Sequence, residues 1–231
     1  MKQILDILNK DPKRNLNTLN FIENQTITKS FVVGESVLIK GISDEEWIYI
    51  SSQNEDELLE LINHIDSESY FFLEEWMVPF VIKKEIQWQL TCEKLILDES
   101  VKVQMPTHEV TKLTTDDAEF IQNNHDYSEY TDVEYIKECI TNRLGYGIRY
   151  DNQLVAWALI HDDGAIGFLR VLPEYNGQGL AKSITNKMII ELRKLGKLPC
   201  VHIEKTNYKS LTLAKKTGFK YVSTVTWVKI K

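Results

Sequence analysis

Two glycines, Gly177 and Gly179, lie in the stretch Val171-Leu-Pro-Glu-Tyr-Asn-Gly-Gln-Gly-Leu-Ala181. The apolar run Ala165–Leu172 before them reads as a strand. After them, Ala181, Ile184, Met188, Leu192 and Leu195 recur at spacings of 3, 4, 4 and 3, which trace one face of a long helix. Where a strand turns into a helix, residues without side chains let backbone amides approach an anion closely. The helix start adds its dipole and its unpaired N–H groups. Asn176, Gly177, Gln178, Gly179, Leu180 and Ala181 are therefore read as a pyrophosphate-binding turn that does without a Walker lysine. The charge supports this reading: residues 177–231 carry 12 Lys or Arg and only two acids, Glu191 and Glu204. Such a segment suits a polyanionic ligand.

The elements that must position this turn follow from the patterning. Downstream of the Pro-containing stretch Val101-Lys-Val-Gln-Met-Pro-Thr-His108, the order reads strand, two helices, three strands, helix, strand, helix, strand. Asp151-Asn152-Gln153 marks one hairpin turn, and Asp162-Asp163-Gly164 marks another in which the two aspartates are turn formers. Gly196 and Gly218 close the last two helices. Upstream, a similar order of strands and helices recurs from Thr28 to Leu97 without a residue-level repeat. The expected organisation is an α/β chain of two units, 1–105 and 106–231. Residues 1–105 hold 10 basic and 19 acidic side chains, whereas 106–231 hold 17 and 15. The acidic balance of the whole argues against a general nucleic-acid binder. No apolar run reaches the roughly 18 residues of a membrane span, and the N-terminus reads as an amphipathic helix, not a signal peptide. The three cysteines, Cys92, Cys139 and Cys200, are too far apart for a zinc motif or a disulfide framework, so no metal and a reducing cytoplasm are expected.

Asn176-Gly177-Gln178-Gly179-Leu180-Ala181 resembles the acyl-coenzyme A signature of the GNAT N-acetyltransferase superfamily, Arg/Gln-x-x-Gly-x-Gly/Ala, with Asn at the first position. Asn207-Tyr-Lys-Ser-Leu-Thr-Leu-Ala-Lys-Lys-Thr-Gly-Phe219 resembles the family's second signature, with Ala214 where a tyrosine is usual. Val155-Ala-Trp157, Leu172-Pro-Glu-Tyr175, Leu195-Gly196 and Pro199-Cys-Val-His-Ile203 are similar to the glycine N-acyltransferase-like branch. The resemblance spans about residues 108–231. It implies a mixed sheet flanked by helices, in two tandem GNAT-like domains of which the N-terminal one is degenerate. It implies acetyl-CoA as co-substrate, no metal, and pantetheine contacts from the backbone of Leu169, Arg170 and Val171 and from Asn207. Lys182 and Lys215 or Lys216 would meet the 3′-phosphoadenosine.

The activity implied is acyl transfer to a primary amine of a small molecule or amino acid, with a catalytically weak CoA-binding protein as the alternative. Relatives place a catalytic glutamate where this chain has Ala165 and a tyrosine where it has Ala214. Glu204 and His202 alternate on one strand face and are the candidate acid–base groups. The other readings are an ion pair with Lys205 or Lys209 for Glu204, and a satisfied structural histidine for His202. Trp157 is a candidate wall of the acceptor pocket, or a core residue.

Overall fold

The computed structural model describes residues 1–65 and 70–230. In chain order the elements are α1 (Lys2–Leu8), α2 (Leu16–Asn24), β1 (Thr26–Val33), β2 (Ser36–Ile42), β3 (Glu46–Ser51), α3 (Glu55–Leu61), β4 (Tyr70–Glu74), α4 (Val78–Val81), β5 (Ile86–Ile96), β6 (Thr111–Lys112), α5 (Ala118–Asn124), α6 (Val133–Asn142), β7 (Gly145–Tyr150), β8 (Gln153–Ile160), β9 (Ile166–Val171), α7 (Leu180–Lys194), β10 (Cys200–Glu204), α8 (Tyr208–Thr217) and β11 (Lys220–Ile230). The expected downstream order is observed element for element.

The chain forms two compact units, and both are discontinuous. The first comprises Met1–Leu95, His202–Leu211 and Tyr221–Lys231; the second comprises Ile96–Val201 and Thr212–Lys220. A single cut after residue 105 differs from this division for a topological reason. β11 pairs antiparallel with β4, from Val225↔Glu74 to Lys229↔Tyr70, so the C-terminal strand completes the sheet of the first unit. The Pro-containing stretch after β5 belongs to the second unit. Arg193 of α7 donates to the carbonyls of Asp98 and Val101 at 2.8 Å each, and the Thr107 amide donates to Ser183 Oγ at 3.1 Å.

In the first unit the strand order is β1-β2-β3-β4-β11-β5. β2 pairs antiparallel with β1 and β3, and β3 runs parallel to β4. Its sheet is covered on one side by Leu58 and Leu61 of α3 packed on Leu38, Ile48 and Phe71, and on the other by Ile4, Leu8 and Phe21 packed on Ile39, Tyr49 and Phe72. After β4 the chain makes a 3-10 turn, Glu75–Met77, followed by the short α4, with Pro79 in its first turn.

In the second unit the order is β10-β9-β8-β7-β6. β7 and β8 meet at a two-residue turn in which Asp151 and Asn152 have φ of 49° and 64°, the geometry whose twist matches that of a hairpin. Ala118 and Ile121 of α5 and Ile136 and Cys139 of α6 pack on Leu154, Trp157 and Leu159 of β8. α7 packs on β7, β8 and β9 and buries Ile184, Met188, Ile189 and Leu192.

Candidate active site

β9 is the strand on which the site is built. Its antiparallel register with β8 slips between Trp157↔Arg170 and Leu159↔Gly167, so Phe168 and Leu169 together oppose a single residue. This is a β-bulge, and it bends the strand and frees backbone groups from the ladder. Phe168 sits at φ 54°, a left-handed conformation uncommon for a residue with a side chain and typical of strained functional sites. On the other edge of β9, the registered parallel pair with β10 is Val201↔Ile166. The half-buried Leu169, Arg170 and Val171 follow the bulge.

Leu172 and a 3-10 turn, Pro173–Tyr175, lead from β9 into the glycine turn. Gly177 and Gly179 have φ of 81° and 82°, a region that glycine enters without cost. A side-chain carbon at Gly177 would meet no protein atom within 4 Å, and one at Gly179 would meet only His108 Cε1 at 3.8 Å. Open space therefore adjoins both glycines. Gly179 is the N-cap of α7 and contributes no side-chain cap, and the first turn of α7 holds no acid. The first amides of a helix have no intrahelical acceptor, so this terminus presents N–H groups and positive potential to an anion. The residues present thus fit the diphosphate of an acyl-CoA. Lys182 reaches Gln104 Oε1 at 2.8 Å, and Lys215 and Lys216 are exposed in the last turn of α8.

The first unit offers a contrast at its own strand-to-helix turn. Asn54 caps α3 by accepting from the Glu57 amide at 3.1 Å, and Glu55, Asp56 and Glu57 fill the first turn. At the adjoining strand ends, Arg14 donates to the Ser52 carbonyl at 3.3 Å and to both oxygens of Glu74, at 2.5 and 2.6 Å. This guanidinium spans the ends of β3 and β4.

The sequence-derived site residues fall in both units. Leu169, Arg170, Val171, Asn176, Gly177, Gln178, Gly179, Leu180, Ala181, Lys182 and Trp157 lie in the second; His202, Glu204 and Asn207 lie in the first. Trp157 is fully buried and packs edge-on against Phe120 at 5.8 Å, which makes it part of the core beneath the bulge. His202 packs edge-on against Trp227 at 4.7 Å, and its Nε2 lies 3.2 Å from Asn17 Oδ1. Glu204 is half-buried, and its charge adds to burial in pushing the Cys92 thiol up to about 12. Lys205 bonds Glu75 at 2.9 Å. Asn207 Oδ1 accepts from the Ser210 amide at 3.1 Å and caps the start of α8. Ala165 and Ala214 are buried, at 0% and 4% exposure, and neither can move a proton. Asp163 accepts from the Ala165 amide at 3.0 Å, as a turn former does.

Three residues that sequence patterns did not single out surround the bulge. His161 stacks on Phe168 with centroids 4.8 Å apart, and His125 packs on its ring at 5.0 Å. The Tyr135 hydroxyl lies 3.1 Å from His161 Nδ1 and donates to Asp162 Oδ1 at 3.3 Å. Burial, followed by the Arg143 and His125 charges, lowers the His161 pKa to about 4. Among the described residues, no group of three or more His, Cys, Asp or Glu is placed to hold a metal ion. No helix among them is long and apolar enough to cross a membrane.

Residues 144–228 match the family model described as FR47-like protein, a span that includes the bulge and the glycine turn. No curated protein sequence matches the chain. An X-ray structure of a Drosophila protein superposes with a TM-score of 0.83 at 16% identity, covering 100% of this chain and 95% of that one. The GCN5-related N-acetyltransferase from Kribbella flavida gives 0.60 at 13% identity, covering 95% of each chain. A tandem GNAT protein from the clavulanic acid biosynthesis pathway gives 0.54 at 10% identity, covering 94% of this chain and 87% of that one. The chain has the mixed α/β fold of the GNAT acetyltransferases, with a large sheet flanked by helices.

Proposed function

We propose that the second unit binds acetyl-CoA and that the protein is an acyl-CoA-dependent N-acyltransferase acting on a primary amine of a small molecule or amino acid. The observation that carries this reading is the Gly177–Gly179 turn, which presents the uncapped N-terminus of α7 directly after a bulged strand. Asn176–Ala181 would hold the diphosphate, and the β9 backbone at Leu169–Val171 the pantetheine arm. The bound co-substrate supplies a thioester carbonyl. A backbone N–H released by the bulge would polarise it, as an oxyanion hole does. Glu204 and His202 on β10 are the candidates for proton transfer that the sequence offers, and the His202 ring bonds Asn17.

The first unit is proposed to be a degenerate sibling that binds no CoA. The Asn54 cap and the acids of α3 support this, because the cap satisfies a helix amide and the acids repel a phosphate.

Ala165 and Ala214 favour one second reading, a CoA-binding protein with little turnover. Thiol release from acetyl-CoA in the presence of a panel of primary amines decides between them. Amine-dependent release supports the transferase, whereas acetyl-CoA binding without release by any amine supports the second reading.

A further inference from the structure

We propose that Asp162, Tyr135 and His161 form a proton relay that ends at the β9 bulge and accepts the proton of the attacking amine. The inference rests on the transferase reading and names a group for the amine deprotonation that Ala165 cannot perform.

The arrangement is assembled from three places in the second unit. By the two-residue period of a strand, His161 follows Trp157 and Leu159 onto the side covered by α5 and α6. Tyr135 comes from the first turn of α6, whose N-terminus is fixed when Asp132 accepts from the Tyr135 amide at 2.8 Å. Asp162 is held in the β8–β9 turn, where its Oδ1 also accepts from the Asp163 amide at 3.1 Å. Gly167 completes the fit, because a side-chain carbon there would lie 2.0 Å from His161 Nε2. Only glycine lets the imidazole lie on the strand beside the strained Phe168.

The hydrogen bonds set the tautomer. An ionised carboxylate only accepts, so the Tyr135 O–H donates to Asp162, and the phenol oxygen is left to accept from His161 Nδ1–H. Nε2 is then the bare nitrogen, and it is the one over Gly167. The charged or titratable groups around the ring are Asp162, Arg143, His125 and Cys139. Arg143 is held by Glu138 at 2.7 and 2.8 Å, and the His125 ring bonds Thr131 at 2.9 Å. Burial beside Arg143 disfavours an imidazolium, so a group that stored the proton at His161 would work poorly here. A relay avoids that charge. The amine enters as its free base. As its nitrogen bonds the acyl carbon it becomes acidic, and its proton passes to Nε2 while Nδ1–H passes to the phenol and the phenolic proton to Asp162. The C–S bond breaks with its electron pair on sulfur, and water protonates the thiolate; the relay then runs back, Nε2–H gives its proton to the hydroxide left, and the Nδ1–H tautomer and the Asp162 carboxylate are restored. The sum is amine plus thioester giving amide plus thiol. On this account His161 is the catalytic residue, and Tyr135 and Asp162 position and discharge it.

The test uses the full chain with Tyr135→Phe and His161→Gln. In ¹⁵N-histidine NMR, the resonance lost in His161→Gln should show a protonated Nδ1 and a bare Nε2 at pH 7, and Tyr135→Phe should shift that tautomer. Thiol release from acetyl-CoA with glycine, L-lysine, spermidine and short peptides as acceptors should fall about 10²–10⁴-fold in His161→Gln. In Tyr135→Phe it should fall at least about tenfold. Acetyl-CoA affinity by calorimetry should be unchanged in both. A protonated Nε2 in the wild type, or wild-type rates in both variants, overturns the relay while leaving the transferase reading intact. Acetyl-CoA binding by the wild type without thiol release for any amine overturns that reading, and the relay with it.

Discussion

His161 should make the protein measurably less stable in mild acid, and the size of the effect follows from its surroundings. Its pKa is lowered from an ordinary 6.5 to about 4, first by burial and then by Arg143 and His125. The folded state therefore binds fewer protons at this site than the unfolded chain does between those two values. The contribution is fully present above pH 6.5 and is lost as the pH falls through 4. A displacement of this size corresponds to a ceiling of about 3 kcal/mol at 1.36 kcal/mol per unit. The residue as a whole is only half-buried, so about 1–2 kcal/mol is the better expectation. Replacing His161 with Gln removes the titration while keeping a polar side chain of similar length. Urea unfolding of the wild type and His161→Gln at steps from pH 7 to pH 4 isolates the term, since all other groups titrate in both proteins. The wild type should lose about 1–2 kcal/mol more than the variant over that range. Parallel stability curves would show that His161 titrates as an ordinary exposed histidine, and the argument that burial keeps it neutral would fail.

Glu204→Gln separates the two sources of a proton acceptor. If the relay carries the proton, turnover with a confirmed amine should stay within a few-fold of wild type; a loss of about 10²–10⁴-fold in kcat would transfer the role to Glu204. Acetyl-CoA affinity should fall as salt is raised, and dephospho-CoA should bind more weakly than CoA, if Lys182 and Lys215 or Lys216 meet the 3′-phosphate. Such exposed charges are screened over about 8–10 Å near physiological ionic strength. Equal binding of the two cofactors by calorimetry would leave these lysines as a solvated face.

The parts of the molecule legible in the sequence are those whose cause is local. The glycine turn announces itself because Gly177 and Gly179 answer a backbone requirement, and both are found at left-handed φ. The apolar period from Ala181 to Leu192 likewise yields α7 directly. α2 is not legible, because its buried face includes Asn17, Thr18 and Asn20, and buried polar residues leave no hydrophobic period to read. His202 and Glu204 share a strand face by alternation, but the partner that holds the His202 ring is Asn17, 185 residues away. The relay is hidden for the same reason. Tyr135 and His161 are 26 residues apart, and only the packing of α6 over the β8–β9 turn brings them together. Gly167 carried the one available signal, a glycine inside an apolar strand, which is a mark of a bulge or a close approach.

The central claim is that the Gly177–Gly179 turn of the second unit is the acyl-CoA site and that the first unit has none. Calorimetric titration of the full chain with acetyl-CoA, in the wild type and in Gly179→Glu, tests it directly. The substitution places a side chain and a negative charge where the N-terminus of α7 meets the diphosphate, with an added backbone cost of about 1–2 kcal/mol at a left-handed position. The account predicts one acetyl-CoA bound per wild-type chain and no detectable binding by a Gly179→Glu chain that remains folded by circular dichroism. Unchanged affinity in the variant, or two equivalents bound per wild-type chain, would contradict it.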